Sequence, residues 1–452
     1  MAARLGNTAE GLTATLLLLA PALWNGFPLL EYDTGGYLAR WFEGTLEVSR
    51  STVYGLFLAA LAWPDFWPAV VVQSALTVWV IALVLRAHGL GGRPLVLLVT
   101  VAVLTIFTAL PWLASILLTD IFVGLGVLAL YLLVLHGDTL AGWEHAALVV
   151  LAAFAAATHS ATLAVLLMVL GAAFVATWFN RRIASPAALG RGIIALALGC
   201  VVLITANYAV ARRLAWTPGG IALSFGRMLQ DGIVARFLAE HCPDPRFKLC
   251  EFRAELPTSA DTFFWGGGPF DRLGRFQGLD DEMRTIVLES LRDYPLWQTG
   301  AAAHAVVEQL LAVKTGEGAL NSLWHTYAIV KNFTPSAVPA MLAARQQNGE
   351  LDFRAINQVH VPVALASMVL LVATIMLAFT RSDLADLGAL AVTAAVAILA
   401  NAAVCGVFAN PHDRYGARLV WIAAFALVLV PWRALVTGPK TSSASGVDVP
   451  AR

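Results

Sequence analysis

EYDTGGYLARWFEGTLEVSRSTVY, residues 31–54, is the first polar break in the chain and follows an apolar run over 12–30. Its reading decides the fold. With a bilayer on either side, Asp33 stands close to hydrocarbon, where a carboxylate is costly and is usually kept for function. The amphipathic and apolar pieces between Asp33 and Pro64 cannot cross: 51–63 is about a dozen residues, against roughly 20 for a span. They read as helices lying in, or dipping into, the interface.

Composition agrees. Of 452 residues, 59% are hydrophobic and 13% charged, and the mean hydropathy is +0.74, so the bilayer is the expected solvent. Lys+Arg and Asp+Glu number 29 each, which leaves no excess of positive charge to argue for nucleic acid. The run after Arg4 lacks a small-residue cleavage site before the polar loop and reads as a retained span.

Working outward, hydropathy gives about ten spans: 12–30, 66–85, 95–113, 121–135, 146–157, 161–179, 192–210, 361–380, 388–407 and 419–430. Residues 1–213 read as an N-terminal membrane core with a first external loop at 31–65. Residues 214–360 read as one mainly helical extracytoplasmic soluble domain, 361–436 as the C-terminal spans, and 437–452 as a disordered cytoplasmic tail. The fold class is therefore an all-α polytopic membrane protein with interfacial helices in its first external loop. Within 214–360, apolar positions recur at three and four residues in 225–239 and 281–291, the signature of helices. PTSADTFFWGGGPFDRLGRF at 257–276 reads instead as an ordered loop. Its Phe263, Phe264, Trp265, Phe270 and Phe276 suit either a sugar-stacking platform or a face resting on lipid.

Placing the cytoplasm at Arg4, Arg86/Arg93, Arg181/Arg182, Arg381 and Arg433/Lys440 satisfies the positive-inside rule at nearly every short loop. The acidic loop 138–144 is the exception. Cys242 and Cys250, in HCPDPRFKLC, are spaced for a local disulfide rather than for zinc, which places their segment outside as well. Cys200 and Cys405 lie in apolar runs and read as core residues. With this sidedness, Asp33, Asp120 and the run Asn410-Pro411-His412-Asp413-Arg414-Tyr415 share the outer face.

That order resembles the glycosyltransferase C superfamily, polytopic enzymes that draw sugars from polyprenyl-linked phosphate donors. The shared features are a first-loop acid with interfacial helices (Asp33), an acid after the third span (Asp120) and a late external H-x-R-Y motif (His412, Arg414, Tyr415). Here Gly416-Ala417-Arg418-Leu419 follow the motif where the family commonly has prolines. The resemblance implies an inverting transfer with Asp33 as base. An acceptor hydroxyl attacks the anomeric carbon as a lipid phosphate leaves, so such a site needs a base near the hydroxyl and cations near the phosphate. Burial at a dry interface is expected to raise the pKa of Asp33. Arg414 is the natural phosphate ligand, with His412, Tyr415 and Arg40 as further donor-site candidates and Arg50 as another. Asp33 and Asp120 are also a candidate pair for a divalent ion, magnesium or manganese, although two carboxylates do not complete a ligand set.

Each residue has a plainer reading. Asp33 and Asp120 are both placed to cap helices, Arg414 could snorkel to headgroups, and His159 at its hinge reads as structural. His304, His325 and His360 are too dispersed for a metal site. The expected function is transfer of a sugar from a polyprenyl donor to a lipid, glycan or protein acceptor, in a bacterial inner membrane with the active site facing the periplasm. A transporter or flippase, or a non-catalytic envelope assembly protein, is the rival. Transporters usually carry mid-membrane charges and repeated halves, and neither is evident in the sequence.

Overall fold

In hydrocarbon every backbone polar group must pair internally, and a helix does this within one segment. The computed structural model describes residues 2–381 and 384–437, and these contain 22 α-helices and no strand. The expected tail, but for Thr437, lies outside the described residues.

The first apolar run is not one helix. It forms α1 (Ala2–Leu18) and α2 (Ala20–Asn25), interrupted where Pro21 begins a new helical turn. Gly26, at φ +83°, ends α2 in a left-handed conformation that only glycine adopts without strain. The chain then runs extended, and Leu29 bridges to Ile116. Two short helices follow as α3 (Tyr32–Glu43) and α4 (Thr52–Ala60), then the long α5 (Trp67–Ala87). The run 95–113 also breaks, into α6 (Pro94–Phe107) and α7 (Leu110–Ser115), with Thr108 extended and Pro111 in the first turn of α7.

Next come α8 (Asp120–Leu135), α9 (Gly142–Thr158), α10 (Ser160–Phe179) and α11 (Pro186–Ala211). Every residue of α8 from Asp120 to Val134 is buried, because α5, α9, α10 and α11 surround it, joined by the last helix of the chain. A helix that is apolar all round belongs in such a centre.

Outside this bundle, α12 (Gly220–Gln230), α13 (Ile233–His241), α14 (Ala260–Trp265), α15 (Pro269–Arg272) and α16 (Arg275–Asp293) close around their own core. The region expected as a loop thus holds two short helices. Phe263, Phe264 and Phe270 are core residues and Phe276 packs against them, leaving only Trp265, at 59% exposure, for any outside contact. Burying the rings outweighs presenting them as a platform. Cys242 and Cys250 are disulfide-bonded beside this core.

The second half of 214–360 belongs elsewhere. α17 (Pro295–Leu311) packs along the penultimate helix of the chain, while Leu323, Ile329, Val330 and Met341, from α18 (Trp324–Phe333) and α19 (Val338–Ala343) or their edges, join the core of the membrane bundle. The chain ends in α20 (Phe353–Thr380), α21 (Ala385–Phe408) and α22 (Asp413–Thr437). Six stretches among the described residues are long and apolar enough to cross a membrane: α5, α10, α11, α20, α21 and Asp413–Leu435 of α22. Four shorter apolar helices, Ala9–Leu18 of α1, α6, α8 and α9, accompany them. These mark an integral membrane protein.

Both ends of α8 meet buried polar groups. At its last turns Tyr131 Oη lies 2.7 Å from His136 Nε2 and 3.0 Å from His88 Nε2, and His88 Nδ1 lies 3.2 Å from Asp386 Oδ2. Arg433 Nη2 is 3.0 Å from the same Asp386 oxygen. Nearby, Glu144 of the acidic loop takes two hydrogen bonds from Arg86, which accounts for an acid among arginines.

Candidate active site

The opposite end of α8 carries the candidate site. Glu31 caps α3: its Oε2 accepts from Asp33 N at 2.6 Å, and Thr34 Oγ1 accepts from Glu31 N at 3.0 Å. Thr34 Oγ1 also donates to Leu117 O at 2.9 Å, which ties this helix start to the strand-like link before Asp120. The cap is therefore Glu31, and the Asp33 side chain is free to point elsewhere. Asp120 likewise makes no capping hydrogen bond, because Thr119 occupies the cap position of α8.

What these acids meet is Arg414, in the first turn of α22. Its Nη1 donates to Glu31 Oε1 at 2.7 Å and to Asp33 Oδ2 at 3.1 Å, and its Nε lies 3.4 Å from Asp120 Oδ2. Arg50 donates to the other Asp33 oxygen, and Arg418 Nη1 to Asp120 Oδ1 at 3.4 Å. Arg418, 1% exposed, is fixed by Asn401 Oδ1 at 3.0 and 2.6 Å. Residues 31, 33, 50, 120, 414 and 418 thus form one connected cluster, and Arg414 is a hub rather than a snorkelling side chain.

The loop between α17 and α18 closes the cluster. Glu317 Oε2 accepts from Arg414 N at 2.7 Å, and its Oε1 lies 2.8 Å from His412 Nδ1. Gln309 of α17 holds the His412 backbone at both N and O, at 3.0 and 2.8 Å. Gly318, at φ +81°, rests so close to Glu31 that a Cβ there would overlap its carboxylate.

The other expected residues divide. Tyr415 stacks beneath two guanidinium groups, with Arg414 and Arg418 each 5.2 Å from its ring centre. Arg40 does not join the cluster: it bonds Gly36 O, Thr45 and Glu43 and pairs with Glu47, all within its own loop. Glu31, Glu317 and Arg418 were not among the sequence candidates. Arg418 was visible as the residue four after Arg414, one helical turn on, and Glu31 as a second acid two before Asp33. Nothing local marks Glu317.

The electrostatics correct one expectation. Burial alone would raise the Asp33 carboxyl, but Arg50 and Arg414 outweigh it and hold the group below its ordinary value. The raised acid is Glu31, pushed up to about 7 by burial and by the neighbouring charge of Asp33. His159, at the break between α9 and α10, is pushed down to about 3 by burial and the charges of Arg418, Arg414 and Arg50, so it stands neutral beside the cluster. Its Nδ1 accepts from Ala161 N at 3.1 Å, the structural role expected of it. His412 is raised, against its burial, by Glu317 and Asp261.

A divalent ion shared by Asp33 and Asp120 does not fit this arrangement. The guanidinium of Arg414 lies between the two carboxylates and supplies the positive charge there. No group of three His, Cys, Asp or Glu side chains suited to a metal occurs among the described residues.

A cleft opens beside the cluster. It holds about 40 Å³, well below the ~300–1,000 Å³ of small-molecule sites. One wall is apolar, with Leu29, Trp112, Leu113, Ile116, Leu118 and Phe353; the other end is polar, with Asp120, Lys314, Thr315, Glu317 and Arg414. A second, smaller cavity of about 10 Å³ shares Ala109 and Thr315 with it and lies among Phe107, Val363, Val420 and Trp421. No protein-family model, curated protein or solved structure matches this chain.

Proposed function

We propose that this chain is an integral membrane glycosyltransferase that moves a sugar from a polyprenyl-phosphate or polyprenyl-diphosphate donor to a lipid, glycan or protein acceptor on the extracytoplasmic face. The observation that carries this reading is that Arg414, which lines an apolar cleft together with Asp120, also holds Asp33. An isoprenoid tail suits the apolar wall, and a phosphate suits Arg414 and Lys314.

In the reaction the acceptor hydroxyl forms a bond to the anomeric carbon as the bond from that carbon to the donor phosphate oxygen breaks. Asp33, held ionised by Arg50 and Arg414, takes the hydroxyl proton, and the phosphate leaves with the electron pair. A base of depressed pKa is adequate because the hydroxyl becomes strongly acidic as it bonds to the sugar. Arg414 orders the acids and stabilises the departing phosphate charge, with His412 beside it. The six long and four shorter apolar helices support a count of ten spans. Loop arginines and the disulfide support an outward-facing site, as in the periplasm of a bacterial inner membrane.

The test is transfer of labelled sugar from a mixed pool of polyprenyl-phosphate donors by purified protein in lipid, comparing wild type with Asp33→Asn. Activity in the wild type and its loss in the variant, with donor binding kept, supports Asp33 as base. Equal activity in both moves the chemistry to another acid. Inactivity of both, with movement of an intact lipid-linked sugar across the membrane, favours the transporter.

A further inference from the structure

α17 is polar where it is covered and apolar where it is open, the reverse of a helix on a water-facing surface. Its covered face carries Gln298, Ala305 and Gln309, all buried. Gln298 accepts from Arg227 at 3.0 Å, and Gln309 holds both the N–H and the carbonyl of His412. The opposite face carries Leu296, Gly300, Ala303, Val307 and Leu311, which recur at three and four residues and so share one side of the helix. None is charged and all are exposed, Leu296 by 88%, Val307 by 56% and Leu311 by 62%. Between the two faces runs an edge of Trp297, His304 and Glu308. Trp297 lies under the Arg236 guanidinium, 5.3 Å from its ring centre, and His304 Nδ1 is 3.5 Å from Glu308 Oε2.

We infer that the open face of α17 lies against the acyl chains of the bilayer, with Trp297, His304 and Glu308 at headgroup level. Water is a poor cover for an unbroken apolar stripe, and a water-facing helix would have turned Gln298 and Gln309 outward instead. Lipid is already at hand. α17 is seated on the last turns of α21, where a Cβ at Gly406 would overlap the Ala305 carbonyl. α21 is long and apolar enough to span and leaves Leu399 and Phe408 exposed, so α17 extends a surface that the bilayer covers. The third edge fits the same placement, since tryptophan and charged side chains beside an apolar stripe mark the headgroup side of a helix lying in an interface. The region 214–360, expected as a soluble domain, thereby contributes a membrane-lying helix of its own. This placement holds whether or not the chain transfers sugar.

Spin-label depth measurement tests it on the full chain reconstituted in phosphatidylcholine vesicles. A nitroxide is attached in separate proteins at Ala303→Cys, Val307→Cys and Leu311→Cys on the stripe, and at His304→Cys and Glu308→Cys on the edge. All five side chains are exposed, so these substitutions leave the packing of α17 in place. Signal from label taken up by the unsubstituted chain, whose free cysteines are Cys200 and Cys405, is subtracted. Collision with oxygen, which concentrates in hydrocarbon, is compared with collision with a water-soluble nickel chelate. Labels at 303, 307 and 311 should favour oxygen and lie about 5–10 Å below the headgroup boundary, whereas those at 304 and 308 should favour the chelate. Preference for the chelate at 303, 307 and 311 overturns the inference by placing the stripe in water. Low access to both reagents there overturns it as well, because protein then covers the stripe, and spin–spin broadening between labels would identify that cover as a second copy of the chain.

Discussion

The two ends of α8 carry buried polar clusters built from different materials. At its C-terminal end, His88, Tyr131, His136, Asp386 and Arg433 tie together the ends of α5, α8, α21 and α22. At its N-terminal end, three acids converge on Arg414 and the two cavities described above lie alongside. The first groups lie at helix ends, so their chief consequence is the register of the bundle. Those at the N-terminal end come from the short helix α3, a central helix, a closing loop and the start of the last helix, which is how a site is assembled. Burial of charge alone therefore does not identify function; convergence of acids and arginines from separate elements beside a cavity is the better guide.

Several substitutions separate the ends, beginning with the largest effect. Arg414→Ala leaves three carboxylates without their shared cation. It should abolish detectable sugar transfer and cost about 3–5 kcal/mol of stability, measured by thermal unfolding in lipid. Asp33→Asn should lower transfer by roughly 10²–10⁴-fold while the protein stays folded, as read by size-exclusion chromatography beside the assay. His88→Ala should do the reverse: about 1–3 kcal/mol of stability lost, with turnover per folded molecule nearly unchanged. A folded His88→Ala protein without turnover would break the contrast between the ends. Gly318→Ala should cost about 1–3 kcal/mol and reduce transfer, because both its positive φ and the Glu31 carboxylate oppose a Cβ.

The smallest effect is with pH. Glu31 has a folded pKa of about 7, raised from 4.5, so its proton is bound more tightly in the folded protein. Its contribution is complete below pH 4.5 and is lost as pH rises through 7. Asp33, depressed, works the other way and loses its contribution as pH falls below the ordinary carboxylate range. Between pH 5 and 8 the melting temperature should therefore drop by a few degrees, and Glu31→Gln should flatten that slope. An unchanged slope in the variant would assign it to another group.

How much of this was legible can be judged from particular residues. Hydropathy located the long helices because burial in lipid demands continuous apolar sequence, and it placed Asp33, Asp120 and Arg414 on one face. The run 12–30 misled because hydropathy sums side chains and ignores that Pro21 and Gly26 interrupt a helix. The aromatics at 263–276 read as a surface because composition cannot tell a loop platform from the core of a small helical unit. Arg40 and Arg414 look alike as isolated arginines, yet one serves its own loop and the other bridges residues nearly 400 positions apart, as the separation of 383 between Arg414 and Glu31 shows.

By itself, then, the sequence determined the solvent, the helical class and the long apolar helices, since each follows from local composition and spacing. Only the tertiary structure decided which acid is held ionised and which is raised, that Glu317 and Gly318 close the site, and that Arg414 occupies the place between Asp33 and Asp120. Those properties depend on distances among side chains far apart in the chain, and electrostatic energy varies with distance and burial, neither of which a linear order of residues contains.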